Sequence, residues 1–184
     1  MQPRRGRRVC RLGRKGLGMI AAETADQATL RTAYGAFPSG VIAVCALEDD
    51  LPVGIAASSF VSVSLDPPLV SVCVQHTSST WPRLSACDRL GLSVLSRGQD
   101  RLCRQLAARI EDRFADVDWT ATSSGAVLIH NAAAWLECSI YEVVPAGDHD
   151  MALLNVEAIQ VYPDVAPLVF HASGFHTLAV SGAA

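Results

Sequence analysis

Along most of the chain, apolar residues gather in short extended runs closed by turn residues, and a helical repeat is less common. Val41–Leu47 is a partly β-branched apolar run ended by Glu48-Asp49-Asp50, which predicts a strand entering an acidic hairpin turn. Val53–Val63 resumes an extended pattern and stops at Asp66-Pro67-Pro68, because proline removes a backbone donor and restricts the residue before it. Leu69–Val74, Leu90–Leu95, Ala133–Val144, Met151–Tyr162 and Leu168–His171 also read as strands, with Ala133–Val144 ending at Pro145-Ala146-Gly147. Helical signals are fewer. Residues 26–36 have helical composition with Asp26 as N-cap. Ser79–Ala86 carries Pro82 near a first turn, and residues 99–110 put Leu102, Cys103, Leu106 and Ile110 on one face. Six or seven strands and about three helices predict a mainly β protein, an antiparallel sheet or barrel with peripheral helices.

The length of 184 residues fits one domain with an appendage. Residues 1–18 hold seven of the fifteen basic residues and no acid, so residues 1–22 are expected to form a disordered basic extension and residues 23–184 the folded domain. The remaining body has eight arginines against eighteen acids. That balance repels a phosphate backbone and argues against nucleic acid as a partner outside the extension. No apolar run approaches the roughly 18 residues of a helical membrane span, so no membrane role is expected. Lys15 is the only lysine and lies in the extension, which removes Schiff-base and P-loop chemistry from the body.

Cysteines at 10, 45, 73, 87, 103 and 138 are widely spaced, with no C-x-x-C pair. Four of them, Cys45, Cys73, Cys103 and Cys138, lie in apolar patterns and read as buried free thiols of a cytoplasmic protein. Gly16-Leu17-Gly18-Met19-Ile20-Ala21 matches a dinucleotide fingerprint in letters only, since the basic stretch before it cannot be the buried strand that the turn requires. There is no G-x-S-x-G and no H-E-x-x-H; His171 and His176 lack an evident third ligand, so no metal is expected.

One segment departs from a plain core pattern. Ala56-Ala57-Ser58-Ser59-Phe60-Val61-Ser62-Val63-Ser64-Leu65-Asp66-Pro67-Pro68 spreads small and hydroxyl side chains along an extended stretch. Small residues let a planar ligand approach the backbone, and hydroxyls and N–H groups can supply donors to a heteroaromatic rim. The same pattern also describes an edge strand with a solvated serine face.

A series of motifs from about Leu30 to Leu178 resembles the flavin reductase-like, FMN-binding split-barrel family, and more narrowly its short-chain NAD(P)H:flavin oxidoreductases. The motifs are Phe37-Pro38-Ser39-Gly40-Val41, Ala57-Ser58-Ser59-Phe60 continuing into Ser62–Leu69, Ser79-Thr80, Leu92–Leu95, Asp112-Arg113-Phe114 with Trp119, Gly147-Asp148-His149 and Pro167–His171.

The resemblance implies a Greek-key, six-stranded antiparallel split β-barrel, usually a homodimer with flavin at the subunit interface. It implies that Ala57, Ser58, Ser59, Phe60, Ser64, Leu65, Asp66 and Pro67 line the isoalloxazine ring. Pro38, Ser39, Gly40, Val41, Ser79 and Thr80 would lie near the ribityl chain and phosphate, with Arg113 and Phe114 nearby. Gly147, Asp148 and His149 would meet the nicotinamide. Arg113 has a second reading as a salt-bridge partner, and His149 as a turn cap. The implied reaction is hydride transfer from NADH or NADPH to FMN or FAD, supplying a separate monooxygenase by flavin diffusion. It needs no protein nucleophile, and no residue is singled out as catalytic. The alternative is a flavin carrier or accessory subunit without turnover. The family commonly has glycine where this chain has Leu154, which narrows the pocket if that side chain faces it.

Overall fold

The structure, a computed structural model, describes residues 20–178. The basic segment at residues 1–19, and with it most of the expected extension and of the glycine fingerprint, lies outside the described residues. The chain comprises two units, one ending at Tyr34 and the other beginning at Gly35. In the first, a 3-10 turn at Ala22–Thr24 precedes helix α1, Gln27–Gly35. The Asp26 carboxylate accepts from the Thr29 N–H at 2.8 Å, as expected of an N-cap, and these bonds hold its carboxyl below the usual range.

The second unit is mainly β. Its strands in chain order are β1 Ser39–Gly40, β2 Ile42–Glu48, β3 Leu51–Ala57, β4 Val61–Leu65, β5 Pro68–Gln75, β6 Leu90–Val94, β7 Trp119–Ala121, β8 Val127–Ile129, β9 Ala134–Ala146, β10 His149–Val161, β11 Leu168–His171 and β12 Gly174–Thr177. Helices α2, Trp81–Leu84, and α3, Asp100–Ala107, interrupt them. The main sheet runs β3-β2-β6-β9-β10-β5-β4, with every pairing antiparallel. It therefore has seven hydrogen-bonded strands where six were expected. β1, β11 and β12 form a small separate sheet, and β7 with β8 a two-stranded one.

β2 explains the layering. Ile42, Val44 and Ala46 enter one hydrophobic core; Val41, before the strand, and Ala43 and Cys45 enter a second. Period-two alternation with both faces buried is what a continuous apolar run produces. The second core also takes Cys103 and Leu106 of α3, Val127 and Ile129 of β8, and Phe114. Burial pushes the Cys45 thiol far up, and the Cys138 thiol up to about 12.

Four expectations need correction. Val53–Val63 is two strands, not one extended run, because the Ser59 hydroxyl replaces the ladder: it accepts from the Cys73 N–H at 3.0 Å and donates to the Cys73 carbonyl at 2.9 Å. Helix α3 stops at Ala107, leaving Ile110 beyond its end, since Ala108 is extended and the Gln105 side chain binds the Arg113 and Ala115 carbonyls. β9 continues through Pro145 to Ala146, so Gly147 and Asp148 alone form the hairpin turn, with Gly147 at φ +68°. Leu154 is 1% exposed inside the first core; it points away from any pocket, and the missing glycine narrows nothing.

Candidate functional site

β3 is an edge of the main sheet, and its second half forms one side of a groove of about 410 Å³. Ala57, Ser58 and Ser59 line it together with Cys73, Ser78, Ser79, Arg109, Arg113 and His149. Five of the residues singled out from the sequence besides Ser59, namely Ala57, Ser58, Ser79, Arg113 and His149, are thus brought together although they are spread over some 90 positions of the chain.

The backbone supplies donors here. Past the end of β3 the ladder lapses, and among the described residues the N–H groups of Ser58, Ser59 and Phe60 have no hydrogen-bond partner. The side chains at this point are small, so a flat ring can approach these donors closely. The Ser59 hydroxyl itself is occupied by the Cys73 backbone and ties β3 to β5.

Arg113 forms the other polar element. Its guanidinium donates to the Thr80 hydroxyl at 2.9 Å and to the Gly54 carbonyl at 3.2 Å. It makes no ion pair among the described residues, so the salt-bridge reading does not hold. The carbonyl it uses belongs to a position where only glycine fits: a Cβ on Gly54 would stand 2.6 Å from the Cys45 sulfur and 2.9 Å from the Phe114 ring. Phe114 is accordingly a core residue. Thr80 is buried at the head of α2 without capping it. The backbone N–H groups expected to receive a phosphate there, those of Thr80 and Trp81, turn instead to the Ser78 hydroxyl at 3.3 and 3.2 Å, and Pro82 has none. Anion binding at this point falls to Arg113 and the hydroxyls.

His149 opens β10. Its Nδ1 lies 2.7 Å from the Asp148 carboxylate. A carboxylate only accepts, so Nδ1 carries the hydrogen and Nε2 is left free. This bond, aided by the nearby His76, holds the Asp148 carboxyl below its ordinary value. His76 in turn meets Asp150 at 3.0 Å, and its N–H donates to the Asp148 carbonyl, so the 147–150 turn is clamped to the end of β5.

Other sequence candidates lie elsewhere in the subunit. Ser39 and Gly40 pair with Phe170 and Val169 in the small sheet, Pro38 precedes them, and Val41 is core. Ser64, Leu65, Asp66 and Pro67 make the β4–β5 hairpin; Leu65 is 95% exposed. Phe60 packs partly against the first core. The sequence reading missed Ser78, Cys73 and Arg109. Arg109 carried one usable signal, being among only eight arginines in the acidic body. No group of three or more metal-ligating side chains occurs among the described residues, and no helix there is long and apolar enough to cross a membrane.

Against this geometry, three comparisons agree. The family model described as flavin reductase like domain matches residues 34–179. The chain is 41% identical over 142 residues to the stachydrine N-demethylase reductase subunit Stc3 of Rhizobium meliloti, covering 77% of this chain but 62% of that protein. It is 34% identical over 156 residues to the reductase subunit HsaB of a flavin-dependent monooxygenase from Rhodococcus jostii, covering 85% and 80%. In structure it resembles the NADH:FAD oxidoreductase SgcE6 of Streptomyces globisporus, solved in complex with NAD and FAD fragments: TM-score 0.82, 37% identity, 86% of this chain and 96% of that one.

Proposed function

The chain belongs to the flavin reductase-like family, and on that premise we propose that it is an NAD(P)H:flavin oxidoreductase. It takes FMN or FAD, and it supplies reduced flavin to a separate monooxygenase by diffusion. The observation that carries this reading is the groove itself. A row of unpartnered N–H groups at Ser58–Phe60 stands beside a cation with only neutral partners and a histidine with one ring nitrogen free. These are donors for a heteroaromatic rim, charge for a phosphate and a contact for a second ring, so the residues present fit a flavin.

When bound, the flavin and nicotinamide supply the hydride chemistry between them. The protein's part is to bind and orient. Ser58–Phe60 N–H groups polarise the rim of the ring that accepts charge. Arg113, Ser79 and Thr80 hold the phosphate side. His149, fixed by Asp148, offers Nε2 to the nicotinamide carboxamide or ribose.

Further parts of the reading concern the assembly. β3, β2, β6, β9, β10 and β5 form a Greek-key split barrel with β4 appended, its two ends joined at Ser59. The protein acts as a cytoplasmic homodimer, and Pro38–Val41 and Ser64–Pro67, which lie away from the groove of their own subunit, serve flavin across the interface. The test is a flavin titration followed by NADH and NADPH oxidation with added FMN or FAD. Flavin-dependent turnover is expected. Flavin binding with no turnover would leave a carrier, and neither would remove the reading.

A further inference from the structure

β3 borders two clefts, not one. Ile55–Ser59 line the groove of about 410 Å³, and Leu51–Gly54 line a second cleft of about 610 Å³; Ser79 and Arg113 belong to both. Either volume alone suits a small-molecule site. Arg113 sits where they meet, held to the β3 floor through the Gly54 carbonyl and to the α2 side through Thr80. Its partners there are neutral, so its charge remains available to an anion.

The second cleft has a different character from the first. Leu51, Pro52, Ile110 and Trp119 give it apolar surfaces fit for the faces of a base. Arg83 also lines it but is already neutralised by Glu48, with Nε and Oε2 2.7 Å apart. Glu111 and Asp112 complete the lining. Such a cleft favours a neutral base and ribose away from Arg113 and an anion only beside it.

We infer that the second cleft receives the adenosine diphosphate half of a dinucleotide, with the diphosphate at Arg113 and Ser79 and the other half in the groove. The inference rests on the flavin reductase reading. FAD and the nicotinamide dinucleotides both carry this half; FMN and riboflavin lack it. Among the flavins, the site is therefore able to distinguish FAD.

The experiment uses the full chain and Ile110→Glu, which places a carboxylate in the cleft from a half-exposed position. FAD, FMN and riboflavin are titrated by flavin fluorescence, and the NADH KM is measured with riboflavin as acceptor. If FAD's adenosine half occupies the cleft, its Kd rises at least about tenfold while FMN and riboflavin move less than about twofold. If the nicotinamide dinucleotide occupies it, the three flavins hold and the NADH KM rises by about the same factor. Leu51→Glu introduces the charge from β3 and is expected to reproduce the pattern, with thermal unfolding reporting that each variant is folded. Equal weakening of all three flavins, or no change in any arm, overturns the inference alone. Failure of the unaltered chain to bind any flavin overturns it together with the reading beneath it.

Discussion

The Ser59 hydroxyl shows how a residue singled out for a ligand can be needed by the fold. Its two bonds to Cys73 stand in for a strand pair where β3 ends. Ser59→Ala leaves a half-buried N–H and carbonyl short of a partner, at a cost of about 1–3 kcal/mol, which lowers the melting temperature by roughly 2–4 °C per kcal/mol in a chain of this size. Thermal unfolding checks this; an unchanged melting point with weaker riboflavin binding would show that the hydroxyl serves the flavin instead. His149 makes the opposite case. Its ring is half-exposed and bonded only to the neighbouring Asp148. His149→Ala is expected to raise the NADH KM or lower kcat while the flavin Kd stays within about threefold. A fall in melting temperature with intact kinetics would make it a turn cap. Both residues were legible in the sequence as candidates. Their separate roles were not, because Ser59's partner lies fourteen positions away and only the folded chain brings it near.

At the scale of elements, close approach decides what the apolar pattern cannot. β8 crosses β6 at Gly91, where an added Cβ would land on the Val127 carbonyl, and the Ser93 hydroxyl accepts from the Ile129 N–H at 2.9 Å. The small β7–β8 sheet is therefore seated on the main sheet through one glycine and one serine. Gly91→Ala forces backbone apart and is expected to destabilise by about 3 kcal/mol or more. Soluble yield and denaturant midpoint are the measurements, and a midpoint like that of the unaltered chain would sink the idea. The long strands were readable because β2 alternates between two cores and leaves an unbroken apolar run. The two-to-four-residue strands β1, β7, β8 and β12 were not, since a period needs more residues than they have. The end of α3 was missed for a related reason: Ala107, Ala108 and Arg109 contain no breaker, and the stop comes from Gln105 binding carbonyls of the next loop.

The whole molecule leaves β4 as an edge strand of its sheet. Val61, Val63 and Leu65 share one side of it and are 56%, 49% and 95% exposed. Soluble proteins guard an edge with charge, proline or cover; along β4 itself there is no charged residue, and Asp66 and Pro67 come only at the turn. A second copy of the chain is the cover that the proposed homodimer provides, and it would bring Ser64–Pro67 of one subunit towards the groove of the other. Leu65→Asp tests both steps at once. Burying a carboxylate in an apolar interface costs several kcal/mol, so the variant is expected to run as a monomer in light scattering at concentrations where the unaltered chain is a dimer. Because Leu65 is almost fully exposed in the single subunit, the monomer's own melting transition is expected to persist. Flavin affinity should fall with the dimer and recover at protein concentrations high enough to restore it. A variant that stays dimeric places the interface elsewhere, and a monomer that binds flavin as tightly as the unaltered chain shows that one subunit's groove is sufficient.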